Sequence, residues 1–480
     1  MKKYILLLIA LIFSINLFSQ TSVLQKKIQD FLNEPTMKNA LLSFYLADSG
    51  SGQKIWSTEP QVSMVPASVL KVVTTATALE VFGPDYRFHT LVCYNGKIDY
   101  QTHTLKGNVI IKGGGDPALG SHFFKDHYDG FISSWVKALK SQGIKHISGT
   151  ILADASIYDD QPIPTTWIWE DLGNYYGAGA TGLSIFDNMY TVHFKSPLAP
   201  NQPTTITSIE PEIPGLSIRN MVQSAQDNSD NAYVFGGPGQ FQREVRGTIP
   251  CNRADFSIKA SIPNPPLFTA QFLAKTLRKA GISVENAPRM IQSSDTLKQK
   301  LTVVVETKSP PLKDIITLTN TYSINLFAEH LLKHIGMKYY GEGSTDAGAK
   351  AMLDFWSKHG VDTRGMFIVD GCGLSRFNAI SAEQITRVLQ YMYSHSKYSD
   401  IFYSCLPDNN EGTMRSLFSG KTVKGQFRAK SGTMTRAKCY AGYYKGSNKN
   451  YSFCVMLNNF SDTSKQVTNK IASLLETLDY

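Results

Sequence analysis

Pro66-Ala67-Ser68-Val69-Leu70-Lys71 opens a run of apolar residues that closes at Gly83-Pro84. Val69, Leu70, Val73, Ala76, Leu79 and Val81 leave it little polar face, so it reads as a buried helix with a Gly-Pro stop and Ser68 at its start. Ser68 and Lys71 then lie one turn apart on the same face. A hydroxyl beside an amine, at a helix end that presents backbone N–H groups and a positive dipole, has the parts of an activated nucleophile and an oxyanion site. The competing reading of Ser68 is an ordinary helix cap. S-x-x-K also occurs at Ser51, Ser134 and Ser394, but only Ser68 opens a long buried helix.

Two later strings complete the pattern. Ser323-Ile324-Asn325 precedes an amphipathic stretch, Leu326–Ile335, and its single spacer lets the Ser and Asn side chains point to one side of an extended loop. A second match, Ser229-Asp230-Asn231, lies in a polar run and reads as a turn. Lys430-Ser431-Gly432-Thr433 ends a strand-like segment that begins at Gly425, and its glycine allows a substrate backbone to come close. The order S-x-x-K, S-x-N, K-S-G, each in a suitable element, carries more weight than any one string.

These residue types divide the work of acyl transfer. Lys71 can take the Ser68 proton only when neutral, and burial with a second cation nearby, Lys430, lowers a lysine pKa. Ser323 would relay a proton to the leaving amine, and Asn325 would hold the substrate amide and the lysine. Backbone N–H groups of Ser68 and Thr433 would form the oxyanion hole. Lys430 and the Ser431 and Thr433 hydroxyls would receive a terminal carboxylate at the close approach that Gly432 permits.

With these strings the chain resembles the D-alanyl-D-alanine carboxypeptidase/endopeptidase family of low-molecular-mass, class C penicillin-binding proteins. Gly113-Gly114-Gly115-Asp116-Pro117, Asn325-Leu326-Phe327-Ala328-Glu329 and Asp370-Gly371-Cys372-Gly373-Leu374-Ser375-Arg376 resemble further stretches of that family. The resemblance implies a serine DD-peptidase that acts on peptidoglycan stem peptides, releases terminal D-Ala or cleaves D-alanyl cross-links through a Ser68 acyl-enzyme, and is acylated by β-lactam antibiotics. It implies that Arg376 lines the pocket for the peptide stem. It implies no cofactor and no metal. Ser431 replaces the commoner Thr with its hydroxyl retained, and Cys372 stands where a small residue such as Ser is usual. A β-lactamase or esterase on the same core, and an idle wall-binding scaffold, are the alternatives; the long insertion speaks against the first and the intact strings against the second.

The expected fold is α+β: a penicillin-binding, serine β-lactamase-like core whose antiparallel sheet is flanked by helices, with β-rich inserted domains. Strand-like pieces at 40–46 and 54–56 and at 425–433, 437–445 and 451–458 point to one sheet made from both ends of the chain. Helical periodicity marks 267–280, 326–335, 347–359, 382–394 and 463–478, and a short helix at 22–32. Strand-like pieces recur between 89 and 264 (89–94, 108–112, 147–153, 191–195, 204–209, 241–245 and 256–258), and residues 201–230 are especially turn-rich between and around them. The expected division is a catalytic domain of 21–88 and 265–480, an inserted domain of 89–187 and 246–264, and a second, nested β-rich insertion of 188–245.

Lys2 and Lys3 followed by the apolar Tyr4–Phe18 and Ser19-Gln20 read as a cleaved signal peptide over 1–20, so the protein is expected to be exported to the periplasm or cell envelope. A net charge of +9 suits association with anionic wall polymers or a membrane surface, while the lack of a dense basic run interleaved with aromatics argues against nucleic acid. Of six cysteines none form C-x-x-C; Cys439 and Cys454, on adjacent strands, either meet in a disulfide or remain buried thiols. His330 and His334 have zinc-pair spacing but lack a Glu after His330 and a third ligand, which disfavours a metal.

Overall fold

The computed structural model describes residues 23–291, 300–421, 423–447 and 449–479, so the expected leader lies outside the described residues. The chain forms two compact units. The first takes in the chain up to Pro84, then Ile316–Ser323 and Met352 onward; the second takes in Asp85–Ile315 and Ile324–Ala351. The S-x-N string is therefore divided, with Ser323 in the first unit and Asn325 in the second.

The first unit is built on a five-stranded antiparallel sheet in the order Gln426–Met434, Ala437–Lys445, Asn450–Asn458, Leu41–Asp48, Lys54–Thr58. Both ends of the chain thus build one sheet, as the pattern of apolar runs predicts. On one face Phe44, Leu46, Phe427, Phe453 and Val455 meet Leu24, Ile28 and Phe31 of the helix over 23–32, and Val467, Ile471 and Leu475 of the helix Ser464–Leu475. On the other lies the helix Ala382–Ser394, started by a capping box between Ser381 and Gln384.

The helix Leu70–Phe82 packs against Ala382–Ser394. Its Val and Thr residues are weak helix formers, so burial rather than propensity holds it. Every residue from Leu70 to Leu79 is buried. The Thr75 and Thr77 hydroxyls donate back to the carbonyls of Lys71 (2.6 Å) and Val73 (2.7 Å), which satisfies them inside the core. Trp356 Nε1 donates to Thr77 Oγ1 at 2.8 Å. Gly83, at φ +80°, ends the helix.

The register of the sheet settles the cysteine question. Cys439 faces Met456 and Cys454 faces Ala441, and both are free thiols. Burial pushes the Cys439 thiol up to about 12.

Among the described residues the second unit holds four sheets. The largest runs Arg289–Ile291, Ile151–Asp154, Val109–Lys112, His89–Tyr94, Thr302–Lys308. The helix Pro265–Lys279 packs on Ile151–Asp154 and Arg289–Ile291 with Phe268, Leu273 and Leu277 buried. Residues 265–315, expected in the catalytic domain, accordingly sit in the second unit. Two three-stranded sheets are formed by Met189–Ser196, Thr205–Glu210 and Arg253–Ser261, and by Ser217–Ala225, Tyr233–Phe235 and Gln242–Pro250. Thr205–Glu210 is a strand as its sequence suggests, whereas Ser217–Ala225 is a strand within the turn-rich stretch, where none is expected; it buries only Val222 and Ser224, so its sequence lacks the apolar alternation that marks a half-buried strand.

The helix Asn325–Tyr340 is buried from Leu326 to Gly336. His330 Nδ1 lies 2.9 Å from the Gly115 carbonyl and Nε2 lies 2.9 Å from Ser184 Oγ. That arrangement puts the proton on Nδ1 and makes Nε2 an acceptor. His334 Nε2 lies 2.7 Å from the Tyr86 hydroxyl. Burial pulls the two imidazoles down to about 3 and about 4, so both are neutral partners in a hydrogen-bonded core. Gly115, at φ +74°, belongs to the turn after Val109–Lys112; a Cβ there would lie 2.4 Å from the Tyr158 hydroxyl.

Phe44→Ala removes a ring at the centre of the first unit's core. It is expected to lower the stability of that unit by about 3–5 kcal/mol in chemical denaturation, with little change in the folded-state far-UV spectrum.

Candidate active site

Ser68 sits in a single 3-10 turn, Ala67–Val69, that runs directly into the helix Leu70–Phe82. No side chain caps that start. The Ser68 hydroxyl instead accepts from Lys71 Nζ at 3.0 Å, which excludes the helix-cap reading. Lys71 Nζ also donates to the Cys372 carbonyl at 2.7 Å, and the lysine is wholly buried. Ala67 holds the left-handed region at φ +45°, a conformation that costs a non-glycine residue about 1–3 kcal/mol and that tight tertiary packing must impose.

The carbonyl that fixes Lys71 belongs to a loop organised by one buried carboxylate. Asp370 accepts from Gly373 N (2.7 Å), Ser375 N (2.6 Å) and Asn378 Nδ2 (2.8 Å). Thr74 Oγ1 donates to the Gly371 carbonyl at 2.7 Å, tying the loop to the next turn of the nucleophile helix. Gly373 takes φ +82°, and a Cβ there would sit 1.9 Å from the Ala67 carbonyl. The loop and the strained turn therefore pack backbone to backbone. It is the Cys372 carbonyl that meets Lys71, so the residue's unusual side chain leaves that contact available. Arg376, three residues beyond Gly373, is exposed.

The K-S-G string lies on the strand Gln426–Met434, at the edge of the sheet. Lys430 is wholly buried and donates to the Ser431 carbonyl at 2.7 Å. Burial, and after it the charge of Lys71, hold the Lys430 amine well below the ordinary lysine range. Gly432 brings this strand against the Ser68 turn: a Cβ would lie 2.8 Å from the Pro66 carbonyl, 3.0 Å from Val69 N and 3.1 Å from Ser68 N. Thr433, next along and exposed, accepts from Lys438 Nζ at 2.9 Å through its hydroxyl. Lys438 is opposite Thr433 on the neighbouring strand, and burial lowers its pKa. The sequence reading missed it, because no motif names a residue chosen by cross-strand register.

Ser323 links the helices Leu312–Tyr322 and Asn325–Tyr340 and adopts φ +60° rather than the extended form expected. The first of these helices, which the sequence reading left unassigned, is fixed to the nucleophile helix where Asn320 Nδ2 donates to Thr75 Oγ1 at 3.2 Å. Asn325 opens the second helix, and its Nδ2 donates to the Tyr176 carbonyl at 2.8 Å. The rejected match at Ser229–Asn231 is an exposed loop in which the Asp227 and Asp230 carboxylates accept from the backbone N–H groups of Ser229 and Ala232.

A serine–lysine contact at the head of a buried helix, beside a lysine-bearing edge strand of a five-stranded antiparallel sheet, is an arrangement suited to serine acyl transfer of the penicillin-binding kind. Residues 24–478 match the D-Ala-D-Ala carboxypeptidase 3 (S13) family, and the chain belongs to that family. It is a serine-type D-Ala-D-Ala carboxypeptidase and a penicillin-binding protein. A D-alanyl-D-alanine carboxypeptidase of Actinomadura sp. (strain R39) is 25% identical over 457 residues, covering 91% of this chain and 81% of the relative. The D-alanyl-D-alanine carboxypeptidase DacB of Haemophilus influenzae is 24% identical over 458 residues, 93% of this chain and 91% of the relative. The crystal structure of penicillin binding protein 4 (dacB) from Haemophilus influenzae superposes with a TM-score of 0.79 at 23% identity, covering 96% of this chain and 99% of that one. The fold is thus shared along almost the whole chain, as the resemblance implied.

Gly432→Val places two methyl groups and a Cβ where the strand meets Ser68 N. The variant should fold, by circular dichroism, yet be acylated by benzylpenicillin at least about tenfold more slowly, because the strand is pushed off the nucleophile.

Proposed function

We propose that Ser68 is the nucleophile, Lys71 its general base and Lys430 the amine that receives the substrate carboxylate. The observation that carries this is the 3.0 Å contact between Lys71 Nζ and Ser68 Oγ in a wholly buried lysine. In acylation the neutral Lys71 takes the Ser68 proton, and Oγ attacks the carbonyl carbon of the penultimate D-Ala. The oxyanion is met by backbone N–H groups of Ser68 and Thr433. The C–N bond then breaks, and the leaving amine of the terminal D-Ala receives its proton by way of Ser323, with Asn325 holding the substrate amide. Water hydrolyses the ester and regenerates Ser68. Lys430 with Ser431 and Thr433 receives the terminal carboxylate, and Lys438 reinforces Thr433. Arg376, exposed beyond the Asp370 loop, is assigned to the peptide stem.

The expected cleavage of cross-links follows the same steps with a different leaving amine. The division into a catalytic domain and nested insertions is part of this reading, as are export to the periplasm or cell envelope and association with the wall. No described helix is long and apolar enough to cross a membrane.

The pH dependence has a defined sign. Burial, and after it the charge of Lys71, lower the Lys430 pKa, so Lys430 sheds its proton at lower pH than a free lysine and its attraction for a substrate carboxylate is lost below the ordinary lysine range near 10.4. KM for a peptide ending in D-Ala-D-Ala should therefore rise with pH, and Lys430→Met should raise KM at low pH and flatten that rise. A KM unchanged in Lys430→Met would contradict the role given to Lys430. Arg376→Ala is expected to raise KM for a full stem peptide while leaving the benzylpenicillin acylation rate within about twofold.

A further inference from the structure

Outside the active site, the buried guanidinium of Arg243 in the second unit has no carboxylate partner among the described residues. Arg243, on the strand Gln242–Pro250, is 3% exposed, and its Nε and Nη1 have no hydrogen-bond partner. Its only bond among the described residues is a long one, 3.5 Å from Nη2 to the Ser261 carbonyl. The adjacent carboxylate, Glu244, is engaged by Arg246 and, at 3.7 Å, by Arg219. Tyr190, close enough to sense the Arg243 charge, has a buried hydroxyl that is itself unpartnered. A guanidinium cannot discharge itself by losing a proton, and a buried cation without an anion is strongly disfavoured.

The surroundings are shaped around that charge. Gly236, at φ +132°, lies so close that a Cβ would fall 2.7 Å from Arg243 Cδ and 2.8 Å from Nη1. Arg243 lines a cavity of about 420 Å³ together with Trp169, Phe235, Arg219, Gln240 and Glu244, the last already paired with Arg246 and Arg219. Trp169 is 56% exposed, and its ring lies 4.6 Å from that of Phe235 at 38°. An open aromatic face beside an unsatisfied guanidinium suits a ligand that has a carboxylate at one end and a flat apolar or sugar face at the other.

We propose that the Arg243 cavity is a second, non-catalytic binding site for the carboxylate of a peptidoglycan fragment, with a sugar or apolar face of the fragment laid against Trp169. The choice of ligand rests on the DD-peptidase reading; the anion site itself does not. A fragment held there would tether the enzyme to the wall polymer independently of the scissile peptide.

The test uses the mature protein with its active site first blocked by benzylpenicillin, confirmed by intact mass. Failure of that acylation step would count against the Ser68 reading; the binding results count for or against this site alone. A soluble disaccharide-tetrapeptide, a neutral chitotriose and inorganic phosphate are titrated by calorimetry. The disaccharide-tetrapeptide is expected to bind and chitotriose to bind at least about tenfold more weakly. Arg243→Gln should weaken disaccharide-tetrapeptide binding by about tenfold or more, with Arg243→Lys restoring part of it. Trp169→Ala, an exposed position that leaves the fold intact, should weaken it several-fold. All three variants should be acylated by penicillin at the wild-type rate. No binding by the blocked wild type, equal affinity in Arg243→Gln, or binding of phosphate but not the fragment would overturn the proposal.

Discussion

A wholly buried lysine, held between the Ser68 hydroxyl and the Cys372 carbonyl, is the constraint around which the first unit is arranged. An ammonium taken out of water must be surrounded by acceptors, or give up its proton. Here a second buried lysine, Lys430, stands on the edge strand, near enough for the two charges to disfavour each other. The structure spends a strained turn at Ala67, an Asp370-centred loop and a side-chain-free strand position at Gly432 to hold this pair in place. A soft site would let either amine swing to solvent and return to an ordinary lysine.

The rigidity comes from two kinds of packing. The helix that carries Ser68 and Lys71 is made of residues with poor helix propensity and is held by burial on all sides, with threonine hydroxyls turned back onto its own carbonyls. The strand that carries Lys430 runs in a sheet whose far face is closed by helices from both chain ends. Ser68 and the Lys430 strand thus sit on elements that neither twist nor fray independently, which the proposed acyl transfer requires of groups that must meet within a fraction of an ångström.

Much of this was legible in the residues. The Ser68 helix and its Gly-Pro stop, the meander ending the sheet, and the helix Ala382–Ser394 all carry strong periodicity or punctuation, and their bounds differ from expectation by a few residues at most. The rejection of Ser229 was legible too, since Asx turns announce themselves in composition. What could not be read was whatever depends on tertiary register. Lys438 reaches Thr433 only because the two strands pair residue for residue there. Cys439 and Cys454 lie on adjacent strands but in offset positions, a matter of two residues of register. Ser217–Ala225 shows little apolar alternation because few of its residues are covered. The helix Pro265–Lys279 is legible as a helix, but periodicity reveals that it has an apolar face and not which sheet covers it, here that of Ile151–Asp154 and Arg289–Ile291.

The central claim, that Ser68 is the acylated group and Lys71 its base, is tested most directly by incubating the mature protein, Ser68→Ala and Lys71→Met with benzylpenicillin and measuring intact mass, with peptide mapping of any adduct. The account predicts one stable adduct on the wild type, mapped to Ser68, none on Ser68→Ala, and at most a trace on Lys71→Met. An adduct on Ser68→Ala, or one mapped to another residue of the wild type, would contradict it.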